Sequence, residues 1–397
     1  MTGHDSKRAW SDAVGIAVER LVAPVEGIHK VIIDPWLSVV SPGGAEAYHS
    51  ALTRIYNSVG LGAAKGAAAA GAIRLPTADR PERVALRDSK FGLGMQAFSN
   101  GVWGDELERR GSPAHIQLEL RDTDGEVIGL TSTGLARAFP QATDRIVVLL
   151  HGLGQTERKW QTRAGEPDTD QGLADVLERG GFTPLLVRYN SGRHVPHNGA
   201  DLANLISTVS RAWPHQAPEV ALVGFSMGGL VARSAILAGR DAEHAWPNQV
   251  SHLVTLATPH LGSPIEKGAR AGAWALRLSN NTKPLGDFVD TRSQGIKDLR
   301  HGTVVSTRTV VHEALPGRIK QHFLTGVTTA DPKSLVGRLV GDFVVRPSSG
   351  TGLGARCQLD PDDVRIIAGV RHTGLFHNPE VHRQVVDWLG ESRTANA

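Results

Sequence analysis

Gly224-Phe225-Ser226-Met227-Gly228 is the stretch on which the reading of this chain turns. An apolar run, Val220 to Val223, leads into it, and a stretch with helical spacing, Leu230 to Leu237, follows it. Strand, tight turn and helix are the context in which a serine becomes a presented nucleophile. Glycines flank it because so sharp a turn leaves no room for side chains on either side, and the strain pushes the hydroxyl out above the sheet. Without that context the string is a weak signal, and the bland alternative is a serine in an ordinary strand-to-helix turn.

Outward from this motif, apolar runs alternate with helical patterns. Ile146 to Leu150, Leu185 to Val187, Val220 to Val223, His252 to Leu256, Phe323 to Val327 and Val364 to Ala368 read as strands. Leu173 to Arg179, Ala200 to Arg211 and a C-terminal segment read as helices. Such alternation predicts an α/β domain, a mainly parallel sheet with helices on both faces. Before it, Ile116, Leu118 and Leu120 alternate with polar residues, and Asp124-Gly125 offers a hairpin turn ahead of Val127-Ile128. Residues 262–320 interrupt the order and are expected to form a cap insertion. Residues 1–110 show helical periodicity, as in Tyr48, Leu52, Ile55, Tyr56 and Val59, broken by Pro24, Pro35 and Pro42. The expected division is therefore a helical N-terminal subdomain, 1–110, and a catalytic domain, 111–397.

At 397 residues, 40% hydrophobic and 21% charged, the chain has ample apolar material for a core. A net charge of +3 without a run of like charges argues against nucleic-acid binding. The single cysteine, Cys357, excludes an internal disulfide framework. No stretch of 18 apolar residues occurs, and Met1 to Trp10 lead into no signal-type apolar run, so a cytoplasmic protein is expected. The near balance of acidic and basic residues in 1–110 favours packing over membrane attachment, leaving peripheral membrane contact as the less favoured expectation. His-Glu-x-x-His is absent and there are no cysteine pairs, so no zinc site is expected. Gly350-Thr351-Gly352-Leu353-Gly354 lacks the Lys-Ser/Thr ending of a phosphate-binding loop and reads as a flexible loop.

A serine hydroxyl needs a base, a carboxylate to orient that base, and donors for the developing oxyanion. His151-Gly152-Leu153-Gly154 follows the strand Ile146 to Leu150, so the N–H of Leu153 is the expected oxyanion donor together with the N–H of Met227. His151 itself reads as structural, since this order of elements puts the base late in the chain. Asp342, in the glycine-led loop Gly341 to Pro347, is the preferred acid, with Asp331, Asp360 and Asp363 as rivals. His372 and His377 both lie past the final strand. Asn378-Pro379-Glu380 reads as a helix start that assigns His377 to the cap region, which favours His372 as base.

Taken together, His151-Gly152-Leu153-Gly154, Tyr189-Asn190-Ser191-Gly192, Gly224 to Gly229, Thr258-Pro259-His260-Leu261-Gly262-Ser263, Gly341-Asp342 with Val344-Val345, and His372 with Leu375, Pro379, Val381 and Trp388-Leu389 carry a resemblance. From about residue 115 to 390 the chain resembles α/β-hydrolase lipases and esterases, including bacterial lipases similar to GPI inositol-deacylases. The resemblance implies a Ser226, Asp342, His372 triad, hydrolysis of small-molecule or lipid esters, and chemistry without a metal or organic cofactor. Amide or thioester hydrolysis, acyl transfer, and a non-catalytic binding protein are the alternative readings. The resemblance fixes neither the substrate nor the oligomeric state.

Overall fold

Alternating side chains on short, Val- and Leu-rich strands build two cores, one on each face of a single sheet. In the computed structural model the described residues are 90–162, 171–216, 218–262, 293–299, 301–305, 315–316, 319–332, 334, 337, 341–342, 344–353 and 359–391. The expected helices before residue 90, Cys357, and most of the expected cap lie outside them. The chain divides into two compact units, Met1–His115 with Glu266–Ser293, and Ile116–Ile265 with Gln294–Ala397.

In the first unit, α1 (Lys90–Arg109) is kinked at Trp103, which has non-helical dihedrals. A kink frees carbonyls of the preceding turn. Ser293 takes two of them, its N–H donating to the Val102 carbonyl at 3.0 Å and its hydroxyl to that of Gly101 at 2.7 Å. Asn100 closes the segment after the helix by donating Nδ2 to the Ala114 carbonyl at 2.8 Å.

The second unit contains β1 (Glu119–Arg121), α2 (Ser132–Ala138), β2 (Arg145–Leu150), α3 (Leu173–Arg179), β3 (Thr183–Arg188), α4 (Val195–Ala212), β4 (Glu219–Phe225), α5 (Met227–Asp241), β5 (Val250–Leu256), α6 (Gln294–Leu299), β6 (Lys320–Gly326), the short turn α7 (Pro347–Gly350), β7 (Asp363–Ile367) and α8 (Pro379–Gly390). The strands pair in the order β1-β3-β2-β4-β5-β6-β7. Every pairing is parallel except that of β1 with β3. The expected hairpin is present and short: the Asp122 N–H donates to the Glu126 carbonyl at 3.0 Å, the Ile128 N–H to the Leu120 carbonyl at 2.9 Å, and Arg121 bridges Val127, while the other edge of β1 pairs with β3. The helix expected to begin near Ala200 starts earlier, at Val195, with Pro196 in its first turn, where a missing N–H costs nothing.

Period-two alternation sends Ile146, Val148 and Leu150 of β2 to one face, against Leu202, Ile206 and Val209 of α4 and Leu230, Val231 and Ile236 of α5. Val147 and Leu149 face the other way, into the cluster of Leu173 and Leu177 on α3 and Val381, Val385 and Leu389 on α8. Each such aliphatic side chain contributes about 1.5–3 kcal/mol by leaving water. Burial on both faces is why the central strands read as unbroken apolar runs. Of the glycine-rich run expected as a loop, Gly350 closes the α7 turn, where it packs against Thr325, Thr351 and Gly352 follow as irregular turn, and Gly354 lies outside the described residues. No helix among the described residues is long and apolar enough to cross a membrane.

Candidate active site

Ser226 sits between the last residue of β4 and the first of α5, with φ 52° and ψ −120°. For a side chain with a Cβ this region is strained, costing on the order of 1–3 kcal/mol, and it persists only where the surroundings enforce it. Here the Ser226 N–H donates to the Leu256 carbonyl of β5 at 2.8 Å, and its own carbonyl accepts from the Gly229 N–H at 3.2 Å. The flanking glycines are sterically required. A Cβ on Gly224 would lie 2.4 Å from the Gly228 carbonyl carbon, and one on Gly228 would lie 2.3 Å from the Leu150 carbonyl oxygen. Close approach at Gly228 brings the start of α5 against the end of β2.

The turn after β2 is the other half of that contact. His151 is fully buried, and burial holds its imidazole at about 4, well below the ordinary 6.5. The ring is therefore neutral at physiological pH. Nδ1 lies 2.9 Å from the Gly152 carbonyl, while Nε2 accepts the Tyr189 N–H at 3.3 Å, which together assign the proton to Nδ1. Tyr189 stacks on the ring at 4.3 Å and donates its hydroxyl to the His151 carbonyl at 2.5 Å. With both nitrogens committed, His151 holds the turn, as its sequence position indicated. Around it, the Gly152 N–H donates to Gln155 Oε1 at 3.1 Å and the Gly154 N–H to Ser191 Oγ at 2.8 Å. The N–H groups of Leu153 and, at the first position of α5, Met227 have no hydrogen-bond partner among the described residues.

Asp342 is fully buried. Its Oδ1 accepts from the N–H groups of Val344 at 2.9 Å and Val345 at 2.8 Å, and its Oδ2 lies 2.7 Å from His372 Nδ1. Two backbone donors on one oxygen leave the other aimed at the imidazole. The rival acids are placed otherwise: Asp331 and Asp360 are exposed, and Asp363 Oδ2 accepts the Trp388 indole N–H at 2.9 Å. His372 opens the 3-10 helix His372–His377, and its ring packs on Phe225, the residue before Ser226, at 4.8 Å between centroids. No hydrogen bond joins Ser226 Oγ to His372 among the described residues. Such bonds commonly tighten only when substrate is bound. His377 ends that 3-10 helix, and Asn378 caps α8, accepting from the Glu380 and Val381 N–H groups. His382 Nε2 lies 2.7 Å from the Phe376 carbonyl.

Three features escaped sequence reasoning. Glu157, in the 3-10 turn Glu157–Trp160, meets Arg188 at the end of β3 in a buried bidentate pair, 2.7 and 2.5 Å. Burial alone would push the Glu157 carboxyl up, but the bonds and charge of Arg188 outweigh it and hold the group below its usual range. Ser349 accepts the Leu261 N–H at 3.0 Å and donates to the Gly262 carbonyl at 2.7 Å, fastening the loop after β5 to the segment that follows Asp342. Ser191, from the loop after β3, is the third. Their partners lie 31, 88 and 37 positions away, a separation at which local pattern carries no signal. Among the described residues no cluster of three or more His, Cys, Asp or Glu side chains could hold a metal ion.

Residues 190–331 match the family model of the PGAP1-like alpha/beta domain. The biotin biosynthesis bifunctional protein BioHC of Teredinibacter turnerae is 26% identical over 175 residues, which make up 44% of this chain. The chain spans only 28% of that relative's length. Among solved structures, mature Bacillus licheniformis lipase BlEst2 aligns with a TM-score of 0.42 at 21% identity, covering 62% of this chain and 91% of that one. A soluble variant of Saccharomyces cerevisiae monoglyceride lipase aligns at 0.38 and 13% identity, covering 63% and 87%. The seven-stranded, mainly parallel sheet and the strained serine turn between β4 and α5 are those of an α/β-hydrolase fold, and within it residues 190–331 are similar to the PGAP1-like alpha/beta domain.

Proposed function

We propose that this chain is a serine hydrolase that cleaves a carboxylic ester, small-molecule or lipid, through an acyl-enzyme on Ser226. The observation that carries the reading is the 2.7 Å contact between Asp342 Oδ2 and His372 Nδ1, with the His372 ring centroid 4.8 Å from that of Phe225, the residue before Ser226. Asp342 keeps the Nδ1 proton in place, so Nε2 is the free base. Nε2 takes the Ser226 hydroxyl proton as Oγ attacks the ester carbonyl. The oxyanion is met by the N–H groups of Leu153 and Met227, the latter at the positive end of α5. The imidazolium returns its proton to the leaving alcohol, and water, activated by the same nitrogen, releases the acid.

The test is labelling by a fluorophosphonate, which traps an activated serine beside an oxyanion hole. Wild-type protein is expected to label at Ser226 and to hydrolyse esters of graded acyl length faster than matched thioesters and amides. Ser226→Ala is expected to abolish labelling and lower kcat on the order of 10³-fold or more. Unchanged ester hydrolysis by folded Ser226→Ala would falsify the mechanism, and a thioester or amide preference would move the substrate class.

A further inference from the structure

We infer that Ser191 is a positioning residue for the oxyanion hole, resting on the reading just given: its hydroxyl clamps the peptide plane next to the one that carries the Leu153 N–H. The peptide plane is rigid, so fixing the planes on either side of a given N–H fixes that N–H too. In the turn after β2 the plane ahead of Leu153 is held where the Gly152 N–H meets Gln155 Oε1. The plane behind it is held where the Gly154 N–H meets Ser191 Oγ at 2.8 Å. Between these two engaged amides lies the Leu153 N–H, with no hydrogen-bond partner among the described residues. Gln155 belongs to the same turn and moves with it, and Gly154, at φ 66°, has the conformational freedom of the left-handed region. Ser191 is thus the clamp supplied from outside the turn on the Gly154 side, as Tyr189, through its hydroxyl on the His151 carbonyl, is on the other.

The clamp is itself well founded. Ser191 is 1% exposed. On one side of it Tyr189 is bonded twice to His151. On the other, the Gly192 N–H donates to Asn190 Oδ1 at 3.0 Å, and the Gly192 carbonyl accepts from Gly295 of α6 at 3.0 Å. Asn198 of α4 donates Nδ2 to the Asn190 carbonyl at 2.9 Å. The string Tyr189-Asn190-Ser191-Gly192, which the triad chemistry does not use, acquires a purpose: it is the bracket on which the oxyanion turn hangs. Loss of the hydroxyl leaves substrate contacts alone and frees the Gly154 side of the turn, so that the aim of the donor rests on the Gly152 carbonyl alone, which meets His151 Nδ1 and the Gln155 N–H. The loss is felt where charge develops on the carbonyl oxygen.

Ser191→Ala is expected to lower kcat by roughly ten- to hundredfold, the scale seen when a group that orients an active-site element is lost. KM and the urea midpoint are expected to stay near wild type, while affinity for an alkyl boronic acid, a tetrahedral mimic, falls with kcat. A merely structural role would lower the midpoint and leave the kcat of the folded fraction intact. Should Ser191→Ala fail to fold, Ser191→Cys keeps the size of the side chain with a weaker acceptor, and reduced kcat at unchanged KM is again expected. A wild-type kcat in whichever of these variants folds, or a rise in KM alone, overturns the inference while leaving the hydrolase reading standing. Wild-type protein that neither turns over esters nor labels with fluorophosphonate overturns that reading and this inference with it.

Discussion

His372 is tied to Asp342 twice: its ring Nδ1 lies 2.7 Å from Oδ2, and its backbone N–H donates to the Asp342 carbonyl at 3.2 Å. Two bonds from one residue fix the position of the imidazole as well as its tautomer. His372→Ala is therefore expected to match Ser226→Ala in severity, on the order of 10³-fold or more in kcat, and Asp342→Asn to be nearly as damaging because it destroys the tautomer preference. His377→Ala is expected to keep most activity. Steady-state kinetics on folded variants decides, and the reverse ranking of the two histidines would show that the base is misassigned.

Gly228→Ala brings a methyl to 2.3 Å from the Leu150 carbonyl oxygen, a backbone atom that cannot rotate away. A loss of at least about 2 kcal/mol in urea unfolding is expected, the scale of overpacking a tight contact. Activity should fall further than stability, since the shift separates the start of α5 from the turn that bears Leu153. An Ala variant with wild-type midpoint and kcat contradicts this.

Glu157 and Arg188 form a charge pair that is almost wholly removed from water. Removing one member strands the other, at a cost of about 3–5 kcal/mol, so Glu157→Gln is expected to lower the unfolding free energy by an amount in that range. Glu157→Gln combined with Arg188→Met should recover part of it, because no unpaired charge remains. A double variant worse than the sum of the singles would argue against the pair as the cause.

Acid should destabilise this fold earlier than carboxylate protonation alone predicts. Burial, the main cause, holds His252 at about 3 and His151 at about 4, and pushes His322 and His382 down as well. His252 also feels His322, Lys320 and Arg145, which lower it, against Asp362. Glu391, Asp362 and Asp363 raise His322 without cancelling its burial. His322 lies stacked between His252 and Trp388, with no hydrogen-bond partner on either ring nitrogen among the described residues. Unfolded histidines bind protons below about 6.5 and these folded ones do not, so their stabilising effect is full above that pH and fades as pH falls toward 4. The urea midpoint should drop across that window, and His322→Phe, which keeps the stack, should make the drop shallower. A flat profile between pH 6.5 and 4 contradicts the assignment.

Elements whose burial is decided locally were legible from residues alone. Ile146 to Leu150 and Val220 to Val223 are apolar at every position because both faces of a central parallel strand are covered. Leu173–Arg179 appears with the bounds its pattern indicated. The short α2 turn and the 3-10 turn at Glu157 gave no periodic signal, being shorter than the window over which a period can be read. The hairpin at Asp124-Gly125 was legible too, because its turn is local, whereas the pairing of β1 with β3 was not, because pattern does not say which strand a free edge meets.

By itself the sequence determined the α/β architecture, the serine turn and the order in which Ser226, Asp342 and His372 occur, because strand period, helix period and glycine sterics act over a few residues. It could rank Asp342 above Asp331 but not bring either to an imidazole. Only the tertiary structure decided that Asp342 is buried against His372 while Asp331 is exposed, and that Ser191 meets Gly154. It also paired Glu157 with Arg188. Those contacts join residues tens of positions apart, and they exist because parallel strands put their carboxyl ends, and the loops that follow them, along one edge of the sheet. Which side chains meet there depends on strand order and loop packing, and these are set by the two cores as a whole.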